Sequence, residues 1–151
     1  MLFRSHANLT SASYYLLLNT TAAQASGATY WNSTAPTSTV FSVGSSNDTN
    51  AATAMVAYCF SEIAGFSKIG SYTGNGNADG TFVYCGFRPA FVMLKNINTT
   101  DSWLTKDYQR ASNYNPASGN LYPNLNLAED TGSGAYIDLL SNGFKIGRAH
   151  V

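Results

Sequence analysis

Charge is what this sequence has least of. Asp, Glu, Lys and Arg together make up 11% of its 151 residues, eight basic against eight acidic, less than half of the roughly one quarter usual in globular proteins. No stretch gathers Lys and Arg, so the counterion release that drives nucleic-acid binding has no electrostatic footprint. Long apolar runs are lacking as well. The N-terminal stretch Tyr14 to Leu18 is far shorter than the roughly 18 residues that cross a bilayer, and with one Arg ahead of it it does not read as a secretory signal. Neither nucleic acid nor membrane is therefore an expected partner. Cysteine is scarce: Cys59 and Cys85 both sit in apolar runs. No Cys-x-x-Cys pair and no Cys/His spacing suited to zinc is present. Two buried core thiols are expected, with a disulfide as the alternative.

Histidine is limited to His6 and His150, which restricts nucleophilic chemistry. A Ser, Cys or Thr nucleophile needs a base beside it, oriented by a third group. No Gly-x-Ser-x-Gly elbow is present, and a Cys59–His6 pair competes with the simpler reading of Cys59 as core. Glycoside hydrolysis needs two carboxylates facing one bond. Glu62, Asp107, Glu129 and Asp138 are scattered singly, as solvated strand-end and loop charges usually are. Asp107 and Arg110 follow Trp103 at a spacing that suits a local ion pair with aromatic packing. Asn75-x-Asn77-x-Asp79-Gly80 matches half of a calcium loop, but its twelfth position is Gly86 where a bidentate Glu is needed. The same Gly-rich stretch lacks the Gly-Lys-Ser/Thr ending of a phosphate loop. Five Asn-x-Ser/Thr triplets, at Asn8, Asn19, Asn32, Asn47 and Asn98, are expected by chance in a chain this rich in Asn and Thr. No catalytic residue, metal or cofactor is expected.

What is abundant is Asn, Ser, Thr, Gly and Tyr, a composition that suits strands and turns. Strands are expected at Tyr14–Leu18, at Thr39–Val43, and at Thr53–Phe60, where β-branched and aromatic residues favour a buried strand over a helix. Ser67–Tyr72 and Thr81–Tyr84, joined by a Gly-rich connector ending in Asp79-Gly80, read as a hairpin. Pro89 opens a strand at Ala90–Lys95, Trp103-Leu104 marks a short one, and a polar stretch covers 111–126. Ala135–Leu140 and Phe144-Lys145 flank the turn Ser141-Asn142-Gly143. The expected class is all-β, an antiparallel β-sandwich of jelly-roll or concanavalin-like type, incomplete at both ends. Among the aromatics, Trp31 beside Asn32 is the expected exposed ligand-binding pair, since flat rings stack on sugars and amides bond hydroxyls.

The ends and an internal echo shape the expected organisation. Residues 2–5, Leu-Phe-Arg-Ser, and 146–151, Ile-Gly-Arg-Ala-His-Val, resemble translated sequencing adapters, so 1–5 and 146–151 are set aside as artefact. Without Arg4 and Arg148 the basic residues fall from 8 to 6 against 8 acidic ones. Leu16–Gly44 and Leu121–Gly147 share an order of apolar strand, Asn, Ala, Gly-containing loop, Tyr, Phe and Gly. Residues 6–145 are accordingly expected to form one module, made of the end of one repeat unit (6–87) and the start of the next (88–145). An unpaired sheet edge is expected beside Ala135–Lys145.

One run is distinctive: Gly65-Phe66-Ser67-Lys68-Ile69-Gly70-Ser71-Tyr72-Thr73-Gly74-Asn75-Gly76, then Asp79-Gly80, Phe82-Val83-Tyr84 and Gly86-Phe87-Arg88-Pro89-Ala90-Phe91-Val92. Tyr30-Trp31-Asn32, Ala57-Tyr58-Cys59-Phe60-Ser61-Glu62 and Leu139-Leu140-Ser141-Asn142-Gly143-Phe144-Lys145 accompany it. From about Tyr14 to Lys145 the chain resembles a domain family of large phage tail and other virion structural proteins, common in aquatic metagenomes. The resemblance implies a non-enzymatic structural or host-recognition role in a tail fibre or related appendage, carried on the virion. Its partners would be other virion proteins, copies of itself, or host-surface glycan. It carries over no catalytic residue. A carbohydrate-binding, lectin-like module and a glycan depolymerase fragment are the alternatives.

Overall fold

The computed structural model of the chain describes residues 2–3, 9–110, 115–131 and 134–147. Among these the regular structure is antiparallel β, with two one-turn helices. The protein is all-β, as expected. It divides into two compact units: Met1–Phe60 with Lys95–Ser102, and Ser61–Leu94 with Trp103–Val151. This division does not follow the 87/88 boundary of the repeat reading.

In the first unit, β1 (Leu2–Phe3) pairs with β2 (Tyr14–Leu17), and β2 pairs on its other side with β3 (Ala25–Ser26). β1 lies in the segment set aside as adapter-like. Leu9, Leu16 and Trp31 are the buried apolar residues described here. The stretch 95–102 belongs to this unit through two backbone bonds, Gln24 N–H to Ile97 O and Asp101 N–H to Thr21 O, each 2.9 Å. Helix α1 (Ala28–Trp31) ends on Asn32 at φ 52°, a left-handed cap that Asn tolerates better than most side chains. Helix α2 (Asn47–Asn50) starts from Ser46, whose hydroxyl accepts from Asp48 N–H, satisfying one of the orphan donors of a helix start.

The strand expected at Thr39–Val43 is absent. Thr37 N–H bonds Val40 O, and the Thr37 hydroxyl accepts from Thr39 and Val40 N–H. This local loop takes the groups of Val40 that a ladder would need. Gly44 N–H then bonds Tyr30 O at 2.9 Å, and a Cβ at Gly44 would lie 2.1 Å from Thr29 O. Only glycine allows that approach. The strand expected at Thr53–Phe60 is also absent. Residues 54–60 have no regular secondary structure, are exposed throughout, and make no backbone hydrogen bond among the described residues. Their apolar, β-branched and aromatic character is that of a strand, but no partner strand lies alongside among the described residues.

The second unit holds β4 (Phe82–Tyr84), β5 (Phe91–Leu94), β6 (Leu104–Asp107), β7 (Ile137–Leu140) and β8 (Gly143–Ile146). β5 enters after Pro89, as expected, and pairs with β6 from Phe91↔Asp107 to Leu94↔Leu104. β7 and β8 form a hairpin closed by Ser141-Asn142, with Leu140 opposite Gly143, so Gly143 belongs to the strand rather than to the turn. β4 does not pair with 67–72. It lies against β8, Val83 opposite Phe144, giving the order β4-β8-β7. The segment 67–72 is left irregular after a tight Ile63↔Ser67 bridge, and the Gly-rich connector is closed just before β4 by Thr81 Oγ1 donating to Thr73 O. β8 also extends to Ile146, one residue past the expected 145/146 boundary.

The core of this unit gathers Val92 of β5, Ala117, Ile137 and Leu139 of β7, and Phe144 of β8, with Val83, Leu94 and Ile146 packed on it. The β5–β6 pair and the three-stranded sheet thus share one apolar cluster. Truncating Phe144 there would cost about 3–5 kcal/mol.

The open edge expected beside Ala135–Lys145 is not open. β8 is central, paired on both sides. On the outer side of β7, Ala117 exchanges both backbone bonds with Ile137. Two residues along, the Asn115 carboxamide takes the place of a strand: Oδ1 accepts Leu139 N–H at 2.8 Å and Nδ2 donates to Leu139 O at 3.1 Å. A short bridge and one side chain fill the positions that a neighbouring strand would otherwise occupy. The echoed residues differ in setting as well: Tyr30 lies in α1 and Tyr136 in coil, while Phe41 is unpaired and Phe144 lies in β8.

Candidate functional site

Trp31 and Asn32 do not form the expected pair. Trp31 is buried, 7% exposed, because α1 turns its ring inward, and it offers no flat face to a sugar. Asn32 is exposed and lines an open depression of about 450 Å³ with Ala28, Thr29, Val43, Gly44 and Ser45, which has no aromatic wall. Beside it, Tyr15 of β2 stacks on Tyr30 of α1 with ring centroids 3.9 Å apart. The Tyr30 hydroxyl donates to Asp48 Oδ2 at 3.1 Å. Hydrogen bonds with Tyr15 and then Asp48 push the Tyr30 phenol up to about 12, so it stays protonated at neutral pH. Thr49 Oγ1 on Tyr30 O, and Ser46 N–H on Thr29 O, tie the two short helices together. No local pattern marks this cluster, because Tyr15, Tyr30 and Asp48 follow one another at intervals of 15 and 18 residues with no periodicity linking them.

The most unusual group is Lys106 of β6. It is fully buried, and its register partner across the ladder is Val92, a core residue. Cross-strand partners share a face, so the Lys106 stem follows Val92 inward. Its ammonium donates to three backbone carbonyls: Ala117 at 3.0 Å, Ser118 at 3.1 Å, and Ala135. Burial pushes its pKa down to about 8, opposed by the charges of Asp130 and Glu129. A lysine near neutrality is a candidate nucleophile or base in principle. Here all three donors are spent on carbonyls and the head is closed from solvent, so the chemistry available to it is cross-linking of three chain segments. Alternation within β6, taken with the β5 pairing, is the signal that could have found it.

Of the four carboxylates singled out in the sequence, Glu62 and Asp107 are tied to neighbouring cations. Glu62 pairs with Lys68 at 2.8 Å and accepts Ile69 N–H. Asp107 pairs with Arg110, as the spacing suggested, with Arg110 Nε donating at 2.6 Å. That guanidinium holds Asp107 below the ordinary carboxylate range. Asp138 is buried, 2% exposed, and Glu129 is exposed over Gly119. In the Gly-rich loop, Asn75 Oδ1 accepts Asn77 N–H, Asn77 Oδ1 accepts Asp79 N–H, and Asp79 pairs with Lys145. Its oxygens are therefore turned to the chain itself, and no group of three or more His, Cys, Asp or Glu able to hold a metal is found among the described residues. Cys59 is exposed, against expectation, because among the described residues no strand pairs with 54–60 to cover it. Cys85 is half-buried against the core, burial raises its pKa, and both thiols are free. His6 and His150 lie outside the described residues, and with them the Cys59–His6 pairing. No helix among the described residues is long and apolar enough to cross a membrane.

No curated protein and no solved structure shows significant similarity to the chain. A protein-family model matches residues 2–150, almost the full length and both ends included, and the chain belongs to that family, a domain of unknown function (DUF7483).

Proposed function

We propose that the chain is a non-enzymatic structural module of a phage tail fibre or virion appendage, carried on the particle and joined there to other virion proteins or to copies of itself. The sequence resemblance supplies the setting. The observation that carries the structural role is the disposition of the charged groups. Glu62, Asp79 and Asp107 are each tied to a neighbouring cation, and the buried Lys106 is committed to three carbonyls. Catalysis needs groups that converge and remain available to substrate. These serve the fold. The test is protein mass spectrometry of purified phage particles whose genome encodes this domain. Its peptides are expected at the stoichiometry of an appendage, and their presence only in the infected-cell lysate, never in the particle, would overturn the reading.

Host-surface glycan binding is the second reading, favoured by the Tyr15–Tyr30 stack with Asp48 and the depression beside Asn32. A glycan array probed with the full chain tests it. Binding abolished by Asp48→Ala supports it, and no binding to any host polysaccharide removes it.

A further inference from the structure

From the first unit we infer that residues 54–60 are a strand awaiting its partner, and that the partner is the same segment of a second copy, paired antiparallel about Ala57. The inference names the partner within the assembly role proposed above and rests on that reading. Four observations support it.

The first is exposure. Met55 (49%), Val56 (81%), Tyr58 (75%) and Phe60 (70%) are open to solvent, although isolated large apolar side chains on a surface are ordinary and a contiguous run is not. The second is the backbone, which makes no hydrogen bond from 54 to 60 among the described residues and so keeps every ladder donor and acceptor unspent. The third is area. The four residues expose on the order of 600 Å² per copy, so about 1,200 Å² over two copies is the most that pairing could bury, a figure that reaches the lower end of a stable interface.

The fourth observation is that nothing in the segment opposes pairing with its own copy. A two-fold antiparallel pairing brings each segment against its own reverse, so a charge at or near the axis meets its own copy. From Thr49 to Ser61 there is no charged residue, and Asp48 and Glu62 stand just outside. Centred on Ala57, the register sets Val56 opposite Tyr58, a β-branched and aromatic pair of the kind that stabilises a ladder. Of the three central residues, Val56, Ala57 and Tyr58, the smallest falls on the axis.

Sedimentation of the full chain over a range of concentrations is expected to show a monomer–dimer equilibrium that stops at two. Val56→Asp with Tyr58→Asp places charges near the axis and is expected to give a monomer with unchanged circular dichroism, both positions being exposed. With Cys59 and Cys85 replaced by Ser, Ala57→Cys is expected to cross-link two chains under mild oxidation. Ala54→Cys is not, because the two copies of residue 54 are then six residues apart along the ladder. A chain that stays monomeric, a dimer indifferent to the double Asp variant, open-ended polymers, or equal cross-linking at 54 and 57 would each overturn the inference. The particle assay fails or succeeds independently: a self-pairing chain absent from virions sinks the structural reading alone, and a virion component that never dimerises sinks this one alone.

Discussion

Lys106 shows how one side chain carries two opposed energies. Burial disfavours its charge, yet three carbonyls can be served only by the three protons of the ammonium. With the folded pKa near 8 and the ordinary value at 10.5, the unfolded chain binds more protons between those limits. Stability is therefore expected to rise as pH goes from about 8 to about 10.5, by on the order of 1–3 kcal/mol, and to be flat below. Urea unfolding at a series of pH values measures it. Lys106→Met keeps the stem but strands the carbonyls of Ala117, Ser118 and Ala135. It is expected to lose about 1–3 kcal/mol at pH 7 and to abolish the alkaline rise. An unchanged profile in the variant would assign the rise to another group.

At the scale of elements, Asn115 and Gly143 decide how β7 and β8 are held. Asn115→Ala is expected to cost about 1–2 kcal/mol and to speed amide exchange at Leu139 selectively. A Cβ at Gly143 would lie 2.1 Å from Val83 O, so Gly143→Ala is expected to destabilise by about 2 kcal/mol or more in thermal unfolding, through displacement of β4. Legibility in the sequence follows how local each cause is. β2, β5 and the β7–β8 hairpin were readable because apolar alternation, Pro89 and a two-residue turn are short-range signals. The false hairpin at 67–84 had the right turn chemistry, but β4's partner is β8, some 60 residues away, and nothing local reports that. Thr39–Val43 was lost to the hydroxyl of Thr37, whose competing loop looks like strand flank in sequence. The candidate site was less legible still. Trp31 and Asn32 are adjacent in sequence, but one turn of helix sends the ring inward and the amide outward.

For the whole molecule, scarcity of charge has a measurable counterpart. The pairs Lys68–Glu62, Arg110–Asp107 and Lys145–Asp79 are partly or largely solvent-exposed, where each contributes little and salt weakens it further. The unfolding free energy is expected to change by less than about 1 kcal/mol between low salt and 0.5 M NaCl, as checked by urea titration at both. A larger fall would mean that long-range electrostatics matter more than these contacts imply. The bond that seals β7 also bears on how the molecule ages. Asparagine is slowly lost by attack of the next residue's amide nitrogen on its side chain, forming a cyclic imide that opens to aspartate. Conversion at position 115 would turn the donor to Leu139 O into a second acceptor and unseal the strand. The next residue is Pro116, whose nitrogen bears no hydrogen and cannot take that route. Asn142-Gly143 and Asn75-Gly76 lie open to the reaction, while the asparagine that closes the sheet is chemically the most durable of the three.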